Sequence, residues 1–324
     1  MNKLIVVLVA VTGLASFAAP TVTDVVAKQR YPWNGLVDIT CKVEGIDETI
    51  PDPKFVLYAV LSDSEKVSRM SHFWIIRDGV KSSNLSTDAN GNYRLLWNAK
   101  ADLGEVRYTN MVVRVDIKVH QKVQLWEGGP YWATTNIGAE KPEDYGYYFW
   151  WGDTVGYKRE NAKWLASDGS NSNFSFTESN TPTDNKSVST LQSEGWITAD
   201  GVLAPEHDAA KKHWGGDWRM PTMQEFDDLL TKCDWVWTTT NGVNGYVVRG
   251  KGDYSSKSIF LPCAGLGNGT SLIDAASYGY YLSSVPYSDD YHAWDLCFYS
   301  SWRCWDDFFR DLGRSVRPLQ GFTK

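Results

Sequence analysis

Between Tyr278 and Leu312 the chain carries 12 phenylalanines, tryptophans and tyrosines in 35 residues, against 14% aromatic content over all 324. Rings at that density must be packed into a core or displayed on a surface, and the two outcomes require different folds. In the densest run, Trp302-Arg-Cys-Trp-Asp-Asp-Phe-Phe-Arg-Asp-Leu312, rings are interleaved with both signs of charge. Binding surfaces favour that mixture, because aromatics and arginine supply most interfacial energy. The same letters admit a second reading. Trp302, Trp305, Phe308, Phe309 and Leu312 recur at intervals of three and four, the spacing of one amphipathic helix with Arg303, Asp306, Asp307 and Arg310 facing water.

A chain of 324 residues predicts two domains, each large enough to bury its own core. Met1-Asn-Lys3, a short apolar run and Ser16-Phe-Ala18 have the layout of a secretory signal peptide over 1–18, too short to span a bilayer. The expected mature protein is therefore exported and not membrane-spanning. Net charge is −7 and no Lys/Arg run exceeds two residues, which argues against nucleic acid as a partner. Five cysteines are an odd number without C-x-x-C spacing, so neither a disulfide framework nor a zinc ribbon is written here. Export permits one or two disulfides, with Cys233 and Cys263 as the first pairing to expect.

Residues 21–121 alternate in strand fashion. Val37, Ile39, Cys41 and Val43 share one face, and Val113, Val115, Ile117 and Val119 repeat the pattern. An all-β sandwich of immunoglobulin or fibronectin type is expected, as an accessory domain. From about residue 122 the composition shifts to Trp, Tyr and Gly. Helical signals come only at 205–213 and 222–230, and the second opens on a capping box in which Thr222 and Glu225 satisfy each other's amides. Short β-like pieces follow, with a last strand expected at 315–318. Metal, nucleophile and phosphate-loop motifs are absent from the sequence. The carboxylate doublets Asp289-Asp290 and Asp306-Asp307 are not the opposed pair that glycoside hydrolysis needs, although Asp289-Asp290 in a loop has the oxygen chemistry of a calcium site. No catalytic residue, metal or cofactor is expected.

Several pieces in order over residues 122–320 resemble one family. They are Tyr131-Trp-Ala-Thr-Thr-Asn-Ile-Gly-Ala139, Glu143-Asp-Tyr-Gly-Tyr-Tyr-Phe-Trp-Trp-Gly152, Trp214-Gly-Gly-Asp-Trp-Arg-Met-Pro-Thr-Met-Gln-Glu-Phe226, Ser277-Tyr-Gly-Tyr-Tyr281 and Gly313-Arg-Ser-Val-Arg-Pro318. The family is the Fibrobacter succinogenes major paralogous domain, related to the formylglycine-generating-enzyme fold. The resemblance implies an α+β C-type lectin fold over 122–324, used for binding. The related enzyme's copper-bound cysteine pair lies in the general region of Cys297 and Cys304, but no flanking motif matches, so an oxidase is not expected.

In such domains the stretch before the Gly-Arg-Ser-Val-Arg-Pro ending resembles the variable region of diversity-generating retroelement targets, where adenine positions are randomised. On that reading Trp294, Leu296 and Phe298 are scaffold, and Asp295, Cys297 and Tyr299 are variants reachable from adenine-rich codons. The expected ligand surface comprises Ile273, Asp274, Tyr287, His292, Asp295, Cys297, Tyr299, Trp302, Arg303, Trp305, Asp306, Asp307, Phe308, Phe309, Arg310 and Asp311. Its expected ligand is a surface protein or a polysaccharide. An unvaried carbohydrate-binding or structural surface module is the alternative.

Overall fold

The computed structural model describes residues 20–31, 34–45, 54–61, 67–77, 80–82, 87–88, 90–104, 111–118, 120–170 and 173–321. The expected signal peptide lies outside them. The chain divides into two compact units, Met1–Val119 and His120–Lys324. Among the described residues no helix is long and apolar enough to cross a membrane.

In the first unit the alternation of apolar residues becomes two antiparallel sheets. One runs in the order Thr21–Gln29, Leu36–Glu44, Tyr93–Asn98, Phe73–Arg77, Val80–Ser82, and the other in the order Val67–Arg69, Lys54–Leu61, Met111–Lys118. Ile39 and Trp97 of the first meet Leu57 and Val113 of the second in one shared core, because period-2 patterning delivers every second side chain to the same face.

The second unit departs from expectation. Among the described residues of the chain, strand accounts for 45% and helix for 13%, in four short helices, three of them in this unit, and many small antiparallel sheets; this overturns the α+β C-type lectin fold. The sequence between its turn residues is cut into pieces of two to eight residues rich in rings and β-branched side chains, and such pieces pair with neighbours rather than wind into helices. The helix expected from 205 is confined to Ala209–Trp214, where Asp208 Oδ1 accepts from the Lys211 amide at 2.9 Å. The longest helix, Met223–Lys232, starts on the capping box read from the sequence: Thr222 Oγ1 accepts from the Glu225 amide at 3.3 Å and Glu225 Oε2 from the Thr222 amide at 2.9 Å. The last strand is Leu319–Gln320 rather than 315–318, and it lies between Tyr131–Ala133 and Trp218–Arg219. Phe226 and Leu229 of the long helix, Tyr246 and Ile259, and Leu296 and Phe298 join in the main core. All five cysteines are free, so the expected Cys233–Cys263 bond is not formed, though both thiols are buried in that core.

Three fully buried arginines near the C-terminus tie this unit together. Arg310 donates to the carbonyls of Thr183, Lys186, Asp289, Asp290 and His292 at 2.8–3.1 Å. Arg314 pairs with Asp295 Oδ2 at 2.6 Å and donates to the Phe309 carbonyl at 2.7 Å. Arg317 donates to Asn136 Oδ1 and to the carbonyls of Ala133 and Phe260 at 2.9–3.0 Å.

Removing one partner of a buried ion pair strands the other charge. Arg314→Met is therefore expected to cost about 3–5 kcal/mol in urea unfolding, and the double variant with Asp295→Leu to recover much of it. A pH effect is expected at Asp153, which is buried and accepts from the amides of Val155 and Gly156 at 2.8 and 3.1 Å. Burial pushes its carboxyl up from 3.8 to about 7. A raised carboxyl pKa means that folding favours the protonated acid, so its contribution is present at low pH and is lost as pH rises through about 7. The Tm difference between Asp153→Asn and wild type should shift in favour of the variant as pH rises across that window.

Candidate functional site

Gly279–Pro286, His292–Tyr299 and Trp302–Phe309 form an antiparallel sheet in that order, which leaves Trp302–Phe309 as its edge. The helical alternative for 302–312, which the Pro, Gly and loop-rich frame of the sequence already argues against, fails for a physical reason. A strand of equal length lies one tight turn away, with Tyr299 opposite Trp302, and the ladder between them satisfies the backbone that a helix would have satisfied internally. Gly279 allows the inner strand to approach, since a Cβ there would stand 2.1 Å from the Phe298 ring.

Alternation sorts the hairpin's side chains into two faces. His292, Trp294, Leu296 and Phe298 share one face with Arg303, Trp305, Asp307 and Phe309. Near the turn the inner strand of this face is covered: Phe298 packs edge-on to Tyr246 and Trp235 at 5.5 and 6.0 Å, while the exposed Arg303 guanidinium lies 5.6 Å from the Trp235 ring centre. Towards the open end it becomes a stripe of touching rings. Tyr287 meets Trp294 at 4.7 Å, Trp294 meets Trp305 at 5.0 Å, and His292 meets Phe309 at 4.3 Å. Trp305 is 38% exposed, Phe309 50% and the neighbouring Tyr291 43%, so the stripe is open to a partner.

Carboxylates rim the stripe. Trp305 Nε1 donates to Asp227 Oδ1 at 3.1 Å, and His292 Nδ1 stands 2.5 Å from Asp289 Oδ2 and 3.8 Å from Asp307 Oδ2. Asp289 Oδ1 also accepts from the amides of Tyr291 and His292 at 3.0 and 2.8 Å. Asp289, whose loop position has the oxygen chemistry of a calcium site, thus caps its own turn.

The opposite face carries Tyr299, Trp302, Cys304, Asp306 and Phe308. Tyr299 contacts Tyr278 and Trp302 at 5.2 and 5.8 Å, while Tyr280 meets Phe308 at 5.2 Å and donates to Asp274 Oδ2 at 3.3 Å. Ile273 and Asp274 are exposed beside this face, and Leu230, Ser301, Trp302 and Arg303 line an open hollow at the turn. Cys297, Cys304 and Asp306 bring one ligand atom each within 4.8 Å of one another. Burial raises both thiols above the ordinary value, Cys297 the further of the two.

Three expected ligand contacts are corrected. Asp295, Cys297 and Arg310 are buried, at 0, 3 and 0% exposure. Asp295 faces Arg314, Cys297 packs with Leu266 and Tyr280, and Arg310 fills its cage of carbonyls. Asp311 is half-buried. In the other direction, Trp294, expected as scaffold, is only half-buried and sits at the centre of the stripe. Tyr291 and Tyr278 were absent from the expected set. Their signal in the sequence is adjacency: Tyr291 immediately precedes the alternating run from His292 to Phe298, and Tyr278 stands two residues before Tyr280.

Stability should separate core from surface: Phe298→Ala is expected to cost about 3–5 kcal/mol in urea unfolding, whereas Trp302→Ala, on an exposed position, should stay within about 0.5 kcal/mol of wild type. No family model, curated protein or solved structure matches the chain.

Proposed function

We propose that this is an exported, non-catalytic bacterial binding protein whose C-terminal hairpin presents aromatic side chains to a macromolecular ligand on a cell surface or colonised substrate. The observation that carries the reading is the stripe of Tyr287, Trp294, Trp305, His292 and Phe309, two ring groups joined where Tyr287 stands 6.4 Å from His292 and open to solvent at its edge strand. Tyr and Trp supply large rigid contact area at low entropic cost. Retroelement diversification belongs to the same proposal: the edge-strand side chains change the surface while the strand itself is held by backbone contacts.

A polysaccharide ligand is the second reading, favoured by the carboxylates of Asp227, Asp289 and Asp307 beside the rings. Stacked rings hold the apolar face of a sugar while carboxylates accept from its hydroxyls.

Binding to arrays of bacterial surface glycans and surface proteins tests the proposal. Trp305→Ala and Phe309→Ala should each weaken the ligand found by at least about tenfold, the scale of a hot-spot ring, while Tyr31→Ala, an exposed ring in the first unit, should leave it unchanged. Loss of binding with Tyr31→Ala but not with the hairpin variants would sink the reading. Sequencing the encoding locus tests diversification, which fails without a near-identical repeat mismatched at adenines beside a reverse transcriptase gene.

A further inference from the structure

Cys297 and Cys304 are directly opposite each other on adjacent antiparallel strands, with sulfurs 3.8 Å apart. Opposed residues in such a pair hold their Cα atoms about 4.5–5.5 Å apart, inside the roughly 4.4–6.8 Å window that a disulfide spans. The remaining thiols differ in kind: Cys41, Cys233 and Cys263 are buried in apolar cores. Cys304 alone is partly exposed, on the face ringed by Tyr280 and Phe308. An entry point and a resolving thiol therefore sit side by side. We propose that Cys297 and Cys304 are a modification site that closes into a cross-strand disulfide by exchange with an external disulfide, stapling the exposed edge strand to the middle of its sheet.

The step balances as a dithiol–disulfide exchange. The Cys304 thiolate attacks one sulfur of RS–SR and expels RS⁻, which takes up a proton to leave as RSH. Cys297, deprotonated in turn, attacks Cys304 Sγ and expels the second RS⁻, also protonated to RSH. Two protein thiols are oxidised and one external disulfide is reduced to two thiols. Entry is through Cys304 because burial raises its thiol less than that of Cys297, and because it is the reachable sulfur. The proposal concerns a structural cross-link and is independent of what the aromatic stripe binds.

The test is to equilibrate the full chain with reduced and oxidised glutathione, quench with acid, and count thiols after unfolding. Two of the five cysteines should be lost, with a mass decrease of two hydrogens and no retained glutathione. Arg303 lies between the two cysteines, so trypsin separates them unless the sulfurs are bonded. Chymotryptic cleavage then separates Cys263 from Cys297. Cys304→Ser and Cys297→Ser should each abolish the loss, and a higher Tm of the oxidised wild type should report the staple without any variant. Five thiols after equilibration, a glutathione adduct that persists on Cys304, or a bond that includes Cys41, Cys233 or Cys263 would each overturn the assignment.

Discussion

The second unit depends on donors for the buried backbone carbonyls of its short strands and long loops, beyond what neighbouring amides supply. A domain cut into pieces this small has many buried chain ends, and each carbonyl removed from water without a donor is costly. Arg310, Arg314 and Arg317 answer that need from within eight residues of sequence. The planar guanidinium offers five donors in a fixed fork, so one side chain can bind several carbonyls at once where lysine would act as a point charge. Arg310 binds five carbonyls drawn from 183–186 and 289–292. Arg317 binds 133, 136 and 260. Segments far apart in sequence are thereby held by one short stretch, and the hairpin is positioned because its own end carries the clamp.

The same constraint explains why two charges between 295 and 310 mislead a reading of the sequence. Two residues counted as displayed, Asp295 and Arg310, are interior, and charged residues are buried only when paired. Neither pairing is visible locally: Arg314 lies 19 residues from Asp295, and the acceptors of Arg310 are main-chain atoms that carry no sequence signal.

Legibility followed the range of the interaction. The alternation of Val37, Ile39 and Cys41 and the capping box of Thr222 and Glu225 are set by residues two or three apart, and both were readable. The identity of 302–309 as a strand was not, because its three-and-four spacing fits a helix until the partner strand is known. The lectin-type α+β expectation failed similarly. The motifs it rested on place particular side chains, such as Gly279 against Phe298 and Thr222 at a helix start, but they do not fix how much of the intervening chain pairs into strands. Of the candidate site, the ring-rich character of 287–309 was readable, whereas its division into a covered half and an open half depends on where Trp235, Tyr246 and Asp227 arrive from.

The hairpin is fastened at both ends through atoms common to all amino acids. At the turn, the Tyr246 hydroxyl reaches the carbonyls of Tyr299 and Ser300 at 3.2 Å each. At the open end, the Arg310 amide donates to the Tyr291 carbonyl at 2.8 Å and its guanidinium grips the carbonyls of 289, 290 and 292. Several outward side chains between those points enter neither fastening, so an inherited change at Trp302, Asp306 or Phe309 alters what the protein shows to its surroundings while the geometry of presentation is transmitted intact. A lineage can therefore explore new partners one residue at a time without rebuilding the frame that holds them out.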